Sequence, residues 1–245
     1  MFRQQIQDQL NNMRLRGMAR AYEEQCANAT LQAMSFEERI GFMIDAQEHD
    51  DRQRRLERIL REAKLKYPSA YPEDIDYVAN RGLDRQMVAS LLNCDWIDRF
   101  QHVVITGPTG VGKTHLGCTF AHQAARRGNR VLYCRQSRYL EEIEIARADG
   151  TLPKLRARVG RMKLLIIDDW GIAPLTPRAR QDLLEVVEDR TSVGSLLITS
   201  QLPVEQWHDW IGEPTLADAI LDRIVHRAHR ITLRGDSLRK RHADQ

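Results

Sequence analysis

The chain has 245 residues, 42% of them hydrophobic and 29% charged, enough for one large domain or for a domain with an accessory piece. It holds no apolar run of about 18 residues and no apolar leader after Met1, which speaks against a membrane-spanning protein and for a cytoplasmic one. The net charge of +3 is small but unevenly placed. Arg52 to Lys66 carries seven Lys/Arg against two Glu, and Arg223 to Arg241 carries seven against one Asp.

Such blocks on a near-neutral chain suit an anionic polymer, although solvated helix faces and a polar tail account for either block alone. The four cysteines, Cys26, Cys94, Cys118 and Cys134, form no CxxC pair, as expected in a reducing compartment without structural zinc.

Residues 1 to 66 read as a helical domain. Ile6, Leu10, Met13, Gly17 and Ala21 recur at helical spacing, and Asn28 to Met34 breaks the pattern. Ser35 and Glu38 form a capping-box pair ahead of Phe36, Ile40, Met43 and Ile44. The same helix is expected to run on past Asp50, with Arg54, Arg55, Arg58, Arg61 and Lys64 around a thin seam of Leu56, Ile59, Leu60 and Ala63. Tyr67-Pro68 and Tyr71-Pro72 make a stiff linker, so a second domain is expected over 67–245. Asp84 caps a short helix through Leu92.

From residue 102 onward strands alternate with helices. His102–Thr106, Arg130–Arg135, Lys163–Ile167, Ser195–Thr199 and a short Arg230–Leu233 read as strands. Helices are expected after the first strand, from Ser137 to Ala148, over Leu155–Arg161, from Thr176-Pro177, and from Pro214 to Ala228. This α/β order implies right-handed crossovers and a parallel sheet flanked by helices, with ligands at the carboxyl ends of the strands.

Three groups of polar residues fall at such ends. Gly107-Pro108-Thr109-Gly110-Val111-Gly112-Lys113-Thr114 fits the P-loop template between a strand and a helix. Its backbone N–H groups suit phosphate oxygens, Lys113 suits the β/γ-phosphates, and the Thr114 hydroxyl suits Mg²⁺. Asp168 follows four apolar residues and can hold the Mg²⁺ shell opposite Thr114; Asp169 can orient the attacking water. Gln201 is a candidate partner for the water or the γ-phosphate, with Ser200 competing for that role.

Arg223, late in its helix, is either an arginine finger for a neighbouring subunit or half of a surface pair with Asp222 or Glu213. His226 and His229 suit surface or nucleic-acid contact, and Trp207 and Trp210 are expected to pack together.

These motifs, with Leu164–Gly171, Leu197–Pro203, Pro214–Arg223 and Gly235–Lys240, closely resemble the IstB-like transposition helper ATPases. Leu15–Ala19, Ser35–Arg39 and Asp74–Tyr77 resemble that family's helical domain and junction. DnaC-type helicase loaders are similar in the ATPase part, leaving a helicase loader as the alternative; a P-loop kinase of small molecules fits the doubled aspartate less well.

The resemblance implies an AAA+ P-loop NTPase with a small all-helical N-terminal domain and a C-terminal lid that is absent or very short. ATP and Mg²⁺ are the implied cofactors. Duplex DNA, the transposase of the same element and further copies of the chain are the implied partners. The stretch Gly107 to Thr114 with His115 would bind nucleotide, and Thr114 and Asp168 would bind the metal. Lys113, Asp169, Gln201 as the sensor-1 residue, and Arg223 in trans would act in hydrolysis. Asp169 stands where most AAA+ proteins carry Glu, which implies slow hydrolysis. Arg239 as a sensor-2 residue is a weak match, and Arg239-Lys240-Arg241-His242 would simply touch DNA.

Overall fold

The computed structural model describes residues 2–77 and 81–237, so Arg239 to His242 lie outside the described residues. The chain divides into two units at Arg58/Ile59 rather than at the linker near residue 66. The physical reason is apolar: Ala63 and Leu65 belong to the core of the second unit, and Leu60 packs against it.

In the first unit, α1 (Phe2–Asn12), α2 (Arg16–Ala27) and a single turn, α3 (Ala29–Gln32), precede the long α4 (Phe36–Ala63). The expected capping box forms: Ser35 N donates to Glu38 Oε2 at 2.9 Å, and Glu38 N donates to Ser35 Oγ at 3.3 Å. Gly17 allows α2 to lie close to α4, since a Cβ there would stand 2.4 Å from the Ala46 carbonyl oxygen. At this crossing Gln47 Oε1 accepts from Gly17 N at 2.9 Å and from Met18 N at 3.3 Å, satisfying donors at the start of α2. Arg52, Arg55, Arg58 and Arg61 are exposed along α4, and Lys64 is exposed just past its end.

The second unit continues with α5 (Arg85–Leu92), α6 (Asp95–Asp98), β1 (His102–Thr106), α7 (Lys113–Arg126), β2 (Val131–Arg135), α8 (Gln136–Ala148) and α9 (Leu152–Gly160). It ends with β3 (Leu164–Trp170), α10 (Pro177–Arg190), β4 (Ser195–Ser200), α11 (Trp207–Ile211), α12 (Pro214–Val225) and β5 (Ala228–Thr232). All strand pairs are parallel, in the order β2-β3-β4-β1-β5. The last strand starts at Ala228, where α12 had been expected to continue: Ala228 pairs with His102, and His102 N donates to Arg227 O at 2.9 Å.

Alternation along the strands fills both faces. Val103, Ile105, Leu164, Ile166, Leu197 and Ile231 face α5 and α7, while Val104, Leu165, Ile167, Leu196 and Ile198 face α8, α10 and α12. Each such side chain, buried in full, contributes about 1.5–3 kcal/mol. Trp207 and Trp210 each pack on Trp170, with ring centroids 5.4 Å apart in both cases. Trp170 thus makes β3 the centre of that aromatic cluster.

The amino edge of the sheet is tied by Arg190, only 1% exposed, whose guanidinium donates to the carbonyls of Val159 (3.0 Å), Lys163 (3.2 Å) and Ser195 (3.4 Å). Burial without a carboxylate partner lowers its pKa to about 10. Arg190→Ala leaves a cavity and strands these carbonyls, so a loss of about 3 kcal/mol is expected, read as an earlier urea midpoint. An unchanged midpoint would show that water replaces the guanidinium at no cost.

Candidate nucleotide site

The loop after β1 meets the expected geometry because three glycines adopt left-handed conformations: Gly107 at φ +146°, Gly110 at +85° and Gly112 at +97°. At Gly107 space is also limiting, since a Cβ would stand 2.3 Å from the Leu233 carbonyl oxygen. Gly112 is the N-cap of α7, so Lys113 and Thr114 open the helix and its positive dipole end faces the loop. The loop is braced from outside: Arg81 Nη2 donates to Val111 O at 2.6 Å. Gly107 N donates to Ser200 O at 3.2 Å.

Lys113 is 8% exposed, and its ammonium donates to Gly107 O at 2.7 Å and to Pro108 O at 2.8 Å. Burial lowers its pKa, while Asp168 and Asp169 oppose that shift. The ammonium therefore sits inside the loop, held by carbonyls that a phosphate can replace.

The sheet order puts β3 and β4 beside β1, and this gathers the remaining groups. Asp168 is fully buried. Its Oδ1 accepts from Thr114 Oγ1 at 2.8 Å and from the Thr199 hydroxyl. Its Oδ2 accepts from the Tyr133 hydroxyl at 2.6 Å and lies 3.9 Å from Lys66 Nζ. Thr114 and Asp168 thus meet as the sequence proposed. Tyr133, Thr199 and Lys66 were not foreseen; Thr199 at least stood at the end of a strand read from the sequence, whereas Tyr133 lies mid-strand in β2.

Asp169 occupies a bulge. The pairing of β3 with β4 shifts between Ile167 and Trp170, and Asp169 has φ +62°, a strained conformation for a non-glycine residue. Its backbone N–H donates to Thr199 Oγ1 at 3.2 Å, and its Oδ2 stands 3.7 Å from Arg135 Nε. The bulge turns the Asp169 carboxylate, about one-third exposed, away from the buried direction that Asp168 takes.

Gln201 is brought to the tip of the loop, where its Oε1 accepts from Thr109 Oγ1 at 2.7 Å. Ser200 instead points back into β3, donating to Trp170 O at 2.7 Å. His115 faces Tyr67, ring centroids 5.6 Å apart, and burial lowers its pKa, so it is neutral at ordinary pH. Beside Gly112 and His115 lies a cavity of about 370 Å³ whose apolar lining is Ile75, Leu83, Leu116 and Leu233.

Arg223 is not at this edge. It donates to Ala219 O at 2.8 Å and to Glu188 Oε1 at 2.9 Å, so its partner is Glu188 rather than Asp222 or Glu213. Both α10 and α12 end at the amino edge of the sheet, and the length of β1, roughly 15 Å at about 3.3 Å per residue, lies between that edge and the phosphate loop. His226 stands 3.6 Å from Asp222, and His229 bonds Gln101 at 3.0 Å.

The chain is similar to known proteins over most of its length. The family model for IstB-like ATP binding protein matches residues 8–245. A relative from Sinorhizobium fredii, named as an insertion-sequence ATP-binding protein, is 47% identical over 95% of this chain and 95% of its own length. Another from Pseudomonas fluorescens, similarly named, is 44% identical over 83% of this chain and 88% of its own. Among solved structures, DnaI superposes with a TM-score of 0.58 at 20% identity, covering 73% of this chain and 94% of that one. The parallel sheet with its loop after β1 is a P-loop fold like that of DnaI, and the family match means that this chain belongs to the IstB-like ATP-binding protein family.

Proposed function

We propose that the chain is the ATPase helper of an insertion-sequence transposition system, acting in the cytoplasm. ATP binding joins copies of it on duplex DNA, the assembly delivers that DNA to the element's transposase and stimulates it, and hydrolysis releases the copies. The observation that carries this reading is the separation of Arg223 from its own phosphate loop. An arginine held at the amino edge by Glu188 can meet a γ-phosphate only in another copy.

The donor set fits a hard divalent cation: a threonine hydroxyl and a buried carboxylate oxygen 2.8 Å apart, both oxygen ligands. Thr114 and Asp168 would hold Mg²⁺, which supplies charge neutralisation at the phosphates. The loop from Gly107 to Thr114 binds the triphosphate. The cavity lined by Ile75, Leu83, Leu116 and Leu233 takes the base. Asp169 orients the water, and Gln201 approaches the same phosphate from β4.

Asp169→Asn is expected to bind ATP and to assemble while hydrolysing slowly. General-base assistance accounts for about 10²–10⁴ in rate, so phosphate release should fall by at least about 100-fold. Turnover at the normal rate would remove Asp169 from the mechanism.

The exposed arginines of α4 favour phosphate contacts, which carry no base information. Binding should therefore be steeply salt-dependent and tolerant of sequence. The direct test is fluorescence anisotropy of a labelled duplex at moderate salt. ATP is expected to tighten binding and promote assembly; DNA binding that ignores ATP would overturn the reading. A pull-down against a transposase and a replicative helicase separates it from a helicase loader, since capture of the helicase alone would favour the latter.

A further inference from the structure

The two oxygens of Asp168 are held differently. Oδ1 faces Thr114 and Thr199, within the machinery already described. Oδ2 accepts from the Tyr133 hydroxyl at 2.6 Å. Tyr133 comes from β2, the strand that also carries Arg135 beside Asp169, and its hydroxyl is the one directional bond on Oδ2 among the described residues. Lys66, at 3.9 Å from the same oxygen, adds charge without a hydrogen-bond direction. Burial and the neighbouring carboxylate push the Tyr133 phenol well above its ordinary pKa, while Arg135 opposes the shift, so the hydroxyl keeps its proton.

A carboxylate bonded by Tyr133 at Oδ2 and by Thr199 at Oδ1 is restrained about its last torsion from both sides. With Oδ2 fixed, Oδ1 stays aimed at the position a cation takes beside Thr114. Released, the carboxylate could turn both oxygens away or meet the ion in a second geometry. Groups that orient a metal ligand in this way typically change metal affinity by about 10–100-fold.

We propose that Tyr133 is a positioning residue for the metal-holding carboxylate, its hydroxyl fixing Oδ2 of Asp168 so that Oδ1 meets the divalent ion beside Thr114. This rests on the reading of Asp168 as a metal ligand. Tyr133→Phe is the informative variant, because it keeps the ring and removes only the O–H.

The test is a titration of the full chain with Mn²⁺ in the presence of a non-hydrolysable ATP analogue, free Mn²⁺ being read by electron paramagnetic resonance. In Tyr133→Phe, Mn²⁺ affinity is expected to fall about tenfold, while analogue binding in EDTA stays at the wild-type value. The Mg²⁺ concentration for half-maximal hydrolysis should rise in proportion, and saturating Mg²⁺ should restore turnover. Asp168→Asn serves as the control. If it weakens Mn²⁺ binding and Tyr133→Phe does not, the positioning role is overturned. If Tyr133→Phe loses analogue binding in EDTA as well, the phenol serves packing and the proposal also falls. If Asp168→Asn itself leaves Mn²⁺ affinity unchanged, the metal reading of Asp168 fails first and Tyr133 falls with it.

Discussion

Lys113→Ala should weaken nucleotide binding by about 100-fold and, at ordinary ATP concentrations, remove ATP-promoted assembly with it. The ammonium is 8% exposed and donates to two loop carbonyls, Gly107 O and Pro108 O. Asp168 and Asp169 stand close enough to oppose the lowering of its pKa. Its removal leaves two carboxylates near the phosphate position with no cation inside the loop to offset them. The loss of charge-assisted bonds to phosphate is about 3 kcal/mol, roughly a 100-fold weaker complex. Isothermal titration with ATP reads this directly, and an unchanged melting temperature separates it from unfolding. A variant that binds ATP as the wild type does would mean that the loop holds nucleotide without its lysine.

Arg223→Ala should behave in the opposite way, binding ATP normally and losing turnover. Arginine fingers contribute about 10³–10⁵ in rate, so phosphate release should fall by about 1,000-fold or more. The pair with Glu188 is an obstacle only in a weak sense. The two side chains are 33% and 47% exposed, and such pairs are worth at most about 1 kcal/mol. Releasing Glu188 to reach a phosphate in another copy is therefore inexpensive, and deleting the arginine should hardly move stability. Normal turnover in Arg223→Ala would leave the residue as a staple between α10 and α12.

Much of the ATPase unit could be read from the residues in order. Runs of branched apolar residues marked the strands, and Ser35, Asp84 and Thr176 marked helix starts whose caps the structure contains. The glycine spacing marked the loop, and an aspartate after four apolar residues marked the strand end facing it. What could not be read depends on which strands become neighbours. Tyr133 and Thr199 reach Asp168 only because β2 and β4 flank β3, and local periodicity does not encode that order. Lys66 arrives from the end of what read as the helical domain, in a basic block that suggested an anionic polymer rather than this site. The bulge that turns Asp169 outward leaves no trace in a pair of adjacent aspartates. The division at Arg58/Ile59 was hidden because α4 runs unbroken through it. Arg223 was legible as a candidate, but its partner Glu188 lies on a helix that sequence distance did not connect to it.

The central claim is that a working site is shared, with the phosphate loop from one copy and Arg223 from another. Mixing Lys113→Ala with Arg223→Ala and measuring phosphate release on duplex DNA tests it most directly. Each variant alone is expected to be silent. In the mixture, an Arg223→Ala copy keeps an intact loop and a Lys113→Ala copy offers an intact arginine, so turnover should return at mixed interfaces. A mixture as silent as its components, although the Arg223→Ala copies bind ATP, would contradict a site completed by a neighbour.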